Sequence, residues 1–302
     1  MIAVIGSNGY IGRHLANALL NQFDVSEINL YGNREVSIDG FLNYTKININ
    51  LESTWKDVLE KNKIIYFFPS LTGVLNSFNK ASEFISVNEL GLVKLLETSR
   101  KYNFKPHIIF PSTRLVYSSE KEIKLKETDI FPDNLKSIYS LNKFSCEKYL
   151  EMYSKYFKID YTILRISVPF GSNFSNFDNS YGIVNHFINN ALKTKKIQIY
   201  GDGLQKRTFT FIGDVINIFL KCIEIPLMKN EVFNIGGNDH LSIYELAKKI
   251  SYKYNAEIML LEWDNFSLQT ETGHTIFDSS KLDNLTGTNN YIVSFDDWLN
   301  KN

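Results

Sequence analysis

The sequence predicts an α/β protein, a doubly wound parallel sheet followed by a smaller α/β lobe, on three observations. Short apolar runs of strand length alternate with longer segments whose apolar residues recur at helical spacing. A glycine-rich turn separates the first run from the first helical segment. Beyond Arg165 the alternation gives way to shorter elements and turns such as Gly201-Asp202-Gly203 and Gly236-Gly237.

Taken in order, Ile2 to Ile5, Ile28 to Tyr31, Ile64 to Phe68, His107 to Phe110 and Tyr161 to Ile166 read as buried strands. Between them, Ile11 to Asn21, Val87 to Tyr102 and Ser137 to Phe157 read as helices, with Leu92, Leu95 and Leu96 on one apolar face. Residues 1–166 are expected to form one domain with a return segment near 209–235, and residues 167–302 most of a second lobe. The Ser-, Asn- and Phe-rich stretch from Gly171 to Gly182 reads as a long loop, either a lid over a substrate or a plain surface excursion.

The chain carries 33 basic and 33 acidic side chains, so no global field draws it to nucleic acid or to an anionic membrane. Cys146 and Cys222 form no CxxC pair and the five histidines are scattered, so neither a disulfide nor a metal site is expected. The chain opens on a strand, with no leader-like segment, and no apolar run is long enough to span a bilayer. The expectation is a soluble cytoplasmic protein.

Gly6-Ser7-Asn8-Gly9-Tyr10-Ile11-Gly12 lies between the first strand and the first helix. There a dinucleotide pyrophosphate needs backbone N–H groups, the positive end of a helix and glycines that let the chain come close. The triplet therefore predicts a Rossmann-type sheet with Gly6, Gly9, Tyr10, Ile11 and Gly12 at the cofactor. At the end of the second strand a carboxylate would hold the adenosine ribose of NAD, whereas a cation tolerates the 2′-phosphate of NADP. The sequence there is Tyr31-Gly32-Asn33-Arg34, without an acid. NADP(H) is favoured with Arg34 on the phosphate, NAD(H) stays open, and an ordinary surface arginine is the plain alternative.

Tyr139 and Lys143 are four apart on a predicted helix, so both project from one face. A phenol with an ordinary pKa of about 10 is a poor base at neutral pH, and a nearby ammonium lowers that value. Among 17 tyrosines this spacing alone arises by chance, so its neighbours must carry the case. Phe110-Pro111-Ser112-Thr113-Arg114-Leu115-Val116-Tyr117 follows a strand end, where open α/β sheets bind ligands. Thr113 or Ser112 there is placed to hydrogen-bond the oxygen that Tyr139 protonates.

The glycine triplet, Ser-Thr ahead of Val-Tyr, and Tyr-x-x-x-Lys one helix later resemble the extended short-chain dehydrogenase/reductases, the nucleotide-sugar epimerase/dehydratase family. Further matches follow in family order: Asn88 ahead of Leu92-Val93-Lys94-Leu95-Leu96, Gly201 to Arg207 with Thr208 to Val215, and Val232 to Gly237 with Leu241 to Ala247. The resemblance implies Tyr139 as acid/base, Lys143 also on the nicotinamide ribose, and Thr113 or Ser112 orienting the reacting carbinol or ketone. It implies Asn48, Phe68 and Asn88 as further cofactor contacts. It places Arg207, with Thr113 and Tyr139, on a nucleotide-diphospho-sugar, and it implies a homodimer through the helices around Val87 to Tyr102 and Ser137 to Phe157.

Departures narrow the reaction. The dehydratases of the family follow their Thr with Asp-Glu, and here Arg114-Leu115 stand there, which argues against dehydration. Val168 replaces an Asn that touches the diphosphate in many members, and Tyr66-Phe67-Phe68-Pro69-Ser70 replaces a usual His-Leu-Ala-Ala segment. No Arg follows Arg207 to clamp the diphosphate, only Gln269, His274 and Lys281 lying near the expected place. The leading expectation is thus a 4-keto-sugar reductase using NADPH, with Tyr139 donating the proton. The alternative is a nucleotide-sugar 4-epimerase with retained NAD. A non-catalytic cofactor-binding protein is the reading of another class, and such proteins typically lose the Tyr/Lys pair kept here.

Overall fold

The computed structural model describes residues 1–130, 132–172, 182–287 and 290–302. Most of the Gly171 to Gly182 stretch read as a loop lies outside the described residues. Two compact units emerge, one of Met1–Val116, Ser137–Arg165 and Ile218–Phe233, the other of Tyr117–Lys136, Ile166–Asn217 and Asn234–Asn302. Among the described residues no helix is long and apolar enough to cross a membrane.

Strand Ile2–Ile5 is central to a seven-stranded sheet because all four of its residues are buried and need cover on both faces. From one edge the order is Glu231–Ile235, Asp160–Ile166, His107–Thr113, Ile64–Phe67, Ile2–Ile5, Ile28–Gly32 and Tyr44–Lys46. The chain winds first to one side of Ile2–Ile5 and then to the other, the doubly wound pattern that the sequence predicts. Parallel register pairs Ile5 with Tyr31 and with Phe67, so three strands end at one level. Gly6, Gly32 and Phe68, the next residues, therefore share the carboxyl edge where such sheets bind ligands.

Helix Tyr10–Gln22 buries Leu15, Ala16 and Leu19. Helix Gly91–Lys101 buries Leu92, Leu95 and Leu96, each contributing about 1.5–3 kcal/mol relative to exposure. These leucines join Ala3, Ile5, Trp55, Ile108, Phe110 and Leu150 in one apolar core. Helix Ile138–Phe157 starts at Ser137, which accepts from Ser140 N–H in a reciprocal capping box.

Several elements differ from the sequence reading. Strand Tyr44–Lys46 and helix Glu52–Lys61 were not expected; the first is a three-residue edge strand with no buried residue, and the second buries only Trp55, Val58 and Leu59. The expected helix from Val87 begins instead as a π-helical turn, Ile85–Leu90, before Gly91. Within that widened turn the Asn88 carbonyl accepts from Cys146 Sγ at 3.0 Å while its amide reaches Leu71. Strand His107–Thr113 runs three residues past Phe110, all of them buried, carrying Ser112 and Thr113 on sheet backbone.

In the second unit, Lys206–Phe211 lies between Asp239–Ser242, antiparallel to it, and Val168–Phe170, parallel to it. Lys196–Tyr200 pairs in parallel with Glu257–Leu261, and Lys124–Leu125 with Ile276–Phe277. Phe170, Phe187, Phe209, Leu246 and Phe295 centre a separate apolar core.

Candidate active site

The glycine loop is shaped by what its side chains would hit. Gly6 adopts φ +84°, and a Cβ at Gly12 would lie 2.3 Å from the Gly6 carbonyl oxygen. The turn is tied to the second strand by Gly6 N–H and Ser7 N–H, which both donate to the Tyr31 carbonyl at 2.8 and 3.0 Å. Gly9 caps helix Tyr10–Gln22 without a side chain, and no acid stands in its first turn. Buried Tyr10, half-buried Ile11 and Gly12 thus begin a helix whose positive end has no internal anion.

The loop after Gly32 folds back on this turn. Asn8 donates to the Tyr44 hydroxyl at 3.1 Å and accepts from Ile38 N–H at 3.0 Å. The Tyr44 hydroxyl in turn brackets Arg34, accepting from its N–H at 3.2 Å and donating to its carbonyl at 3.0 Å. Glu35 is engaged by Lys46, which leaves the exposed Arg34 side chain without a partner among the described residues. Asn48 is exposed and accepts from Asn50 N–H, turning the chain into the next helix. Phe68 packs against Tyr66 and Phe219, and its N–H donates to Ile5 at 2.9 Å. Asn88 is fully buried and fixes both polar atoms of Leu71, at 2.7 and 3.0 Å, so it shapes the loop that follows Phe68.

Lys143 is buried on helix Ile138–Phe157, donating from Nζ to the Pro111 carbonyl at 3.0 Å and lying 4.6 Å over the Phe110 ring. Burial lowers its pKa to about 8, against the partial opposition of Cys146 and Glu147. Tyr139, one turn earlier and half-buried, meets Phe84 edge-on at 6.5 Å. Thr113 ends the strand, its hydroxyl oxygen accepting from Leu115 N–H at 3.2 Å.

Ser112 and Thr113 part company here. The Ser112 hydroxyl donates to Glu147 at 2.5 Å, and Glu147, fully buried, takes Arg165 on both oxygens. Glu147 escaped the sequence reading, although its place four residues after Lys143 puts it on the same helix face.

Arg207, in the second unit, is buried and hydrogen-bonded through both of its terminal nitrogens. It donates to the Lys206 and Gly273 carbonyls and pairs with Glu271. Of the side chains considered for a second anion contact, His274 accepts from Lys206 N–H and Gln269 is exposed. Glu271, separated by 64 positions, left no local signal. Among the described residues no three His, Cys, Asp or Glu side chains gather to hold a metal ion.

Residues 2–236 match the model of the NAD dependent epimerase/dehydratase family. A putative UDP-glucose 4-epimerase of Methanocaldococcus jannaschii is 29% identical over 266 residues, covering 84% of this chain and 82% of that one. The crystal structure of a UDP-glucose 4-epimerase from Thermotoga maritima, with UDP-glucose, superposes with a TM-score of 0.85 at 25% identity, covering 99% of this chain and 96% of that one. The fold is shared also with a dTDP-glucose 4,6-dehydratase of Streptomyces venezuelae holding NAD, at a TM-score of 0.84 and 20% identity over 99% of this chain and 94% of that one. With more than three quarters of its length matched by the family model, this chain belongs to the NAD dependent epimerase/dehydratase family.

Proposed function

We propose that the protein transfers hydride at a carbinol or ketone carbon of a sugar carried on a nucleoside diphosphate, and that the reaction is 4-epimerisation. One observation carries the chemistry: Lys143, a buried ammonium on the Tyr139 face of its helix, is anchored at the strand end that presents Thr113. Tyr139 moves the proton on the sugar oxygen, and the charge on Lys143 favours its phenolate. Thr113 orients that oxygen. Ser112 acts through Glu147, because its hydroxyl is already given to that carboxylate.

The glycine loop fits a dinucleotide pyrophosphate, since Gly12 leaves no room for a Cβ and Gly9 leaves the first-turn N–H groups uncapped. Gly6, Gly9, Tyr10, Ile11 and Gly12 would hold it, with Asn48, Phe68 and Asn88 shaping its surroundings and Lys143 reaching the ribose. When bound, the nicotinamide supplies or accepts the hydride. Arg207 serves the substrate anion. Arg114-Leu115 offers no carboxyl pair after Thr113, which argues against elimination of water.

Epimerisation comes first because relatives described as 4-epimerases match this chain over more than four fifths of its length. A second reading, a 4-keto-sugar reductase using NADPH, has its own support: Gly32 brings no carboxylate to the ribose, and Arg34 is unpaired among the described residues at the same edge. A homodimer through the two helices of the family draws support from exposed Ile85, Leu90, Leu141, Met152 and Tyr156 on them.

The deciding experiment is direct. Purified protein that retains nicotinamide through gel filtration and interconverts 4-epimers without added cofactor is the epimerase. Protein that loses it and consumes NADPH on 4-keto sugars is the reductase. In either case Tyr139→Phe is expected to lower turnover by about two to four orders of magnitude while cofactor binding persists; undiminished turnover would remove Tyr139 from the mechanism.

A further inference from the structure

Three arginines are buried among the described residues, and one of them is held unlike the others. Arg13 sends Nε and Nη2 to the two oxygens of Asp39, and Arg165 does the same to Glu147. Those pairs are closed on both sides. Arg207 instead gives one bond, from Nη2 to Oε1 of Glu271. That oxygen also takes Thr272 N–H at 2.9 Å and Gly273 N–H at 3.1 Å, while Oε2 has no partner among the described residues.

Exposure is lopsided in the same sense. The Arg207 and Glu271 side chains are 4% and 25% exposed, a wider gap than the 7% and 14% of Arg13 and Asp39 or the 3% and 0% of Arg165 and Glu147. The cation is buried and the carboxylate only half-buried. Arg207 does not depend on Glu271 for its position, because Nη1 holds the Lys206 and Gly273 carbonyls, and Thr275 bridges to Arg207 along the backbone. Withdrawal of Glu271 into water would leave a fixed, dry guanidinium aimed at the place the carboxylate had occupied. A guanidinium fork takes phosphoryl oxygens as readily as carboxylate oxygens.

We propose that Glu271 is a displaceable counter-ion, occupying Arg207 until a phosphoryl oxygen of the nucleoside-diphosphate substrate takes its place. The inference rests on the nucleotide-sugar reading given above and adds to it a residue that sets substrate affinity. With Glu271 in place the site has no net charge, so an incoming diphosphate gains attraction only by exchange, and its affinity is reduced by the strength of the pair it breaks. The exchange makes Glu271 a brake on anion binding.

The test compares the full-length wild type with Glu271→Gln and with Glu271→Gln combined with Arg207→Gln. Inorganic pyrophosphate and UDP, dTDP, GDP and CDP serve as probes, read by thermal shift and calorimetric titration. Glu271→Gln is expected to bind the accepted diphosphate about tenfold more tightly than wild type. The doubly substituted protein is expected to lose that gain, which separates this site from pyrophosphate held at the glycine loop. If Glu271→Gln does not fold, Glu271→Asp, which keeps the charge but draws it back from Arg207, is expected to tighten binding in the same direction. Equal or weaker binding in the folded variant overturns the exchange while leaving the nucleotide-sugar reading intact. A gain for pyrophosphate with no binding of any nucleoside diphosphate keeps the exchange and removes that reading.

Discussion

Arg165 and Glu147 form a two-bonded ion pair, at 3.0 and 2.7 Å, in which neither side chain has appreciable contact with water. The same carboxylate receives Ser112, so the pair braces the strand end that carries Thr113. A buried charge stripped of its partner costs about 3–5 kcal/mol, whereas removing both charges together costs much less. Glu147→Gln is therefore expected to lose about that much stability, and Glu147→Leu with Arg165→Met considerably less. Denaturant titration of the three proteins decides it, and a Glu147→Gln loss below about 1 kcal/mol would show that the pair contributes little.

The glycine loop yields a sharper prediction, because it concerns one methyl group. In a helix Ala is favoured over Gly by about 1 kcal/mol, so propensity alone makes Gly12→Ala stabilising. The Cβ, however, would stand 2.3 Å from the Gly6 carbonyl oxygen, a backbone atom that cannot swing aside. The turn must open. Gly12→Ala is expected to keep its circular dichroism and weaken nicotinamide dinucleotide binding at least about tenfold, measured by fluorescence titration. Unchanged binding would mean that this turn does not hold the pyrophosphate.

How much was legible follows from the range of each signal. Strand Ile2–Ile5, Gly6 to Gly12 and the Tyr139/Lys143 spacing are local patterns, set within a few residues, and the sequence displays them directly. Helix Glu52–Lys61 shows only Trp55, Val58 and Leu59 on its buried face, too narrow a stripe to stand out among charged neighbours. The π-helical turn at Ile85–Leu90 depends on Asn88 meeting Leu71 and Cys146, contacts that no periodicity records. Glu271 on Arg207 is the extreme case, a pairing made by tertiary structure across 64 positions. The sequence singled out Arg207 yet had no means of showing its partner.

Substitution of Arg34 tests which of the two cofactors the protein takes. Its side chain is exposed and its acidic neighbour Glu35 is engaged by Lys46, so its charge is available at the edge where Gly32 brings no carboxylate. Removing an exposed side chain should change stability by no more than about 0.5 kcal/mol. If the 2′-phosphate is its partner, Arg34→Ala is expected to weaken NADP(H) binding about tenfold and leave NAD(H) binding unchanged. The quantity to measure is the ratio of the two dissociation constants. A ratio that does not move assigns Arg34 to the solvent.

The last prediction turns on the protonation of Lys143. Burial lowers its pKa from the usual 10.5 to about 8, so the ammonium is present below that value and lost above it. The charged form is the one that favours Tyr139 phenolate, and its loss lets the phenol return toward its ordinary pKa of about 10. In the direction where Tyr139 accepts a proton, kcat/KM, which reports the free enzyme, should therefore fall as pH rises through about 8. Desolvation sets the shift and Cys146 and Glu147 oppose it, so Glu147→Gln moves the limb to lower pH. Lys143→Met should abolish the limb and lower the rate by about two orders of magnitude or more. A wild-type rate still climbing past about pH 9 would exclude the ammonium of Lys143 as the group that activates Tyr139.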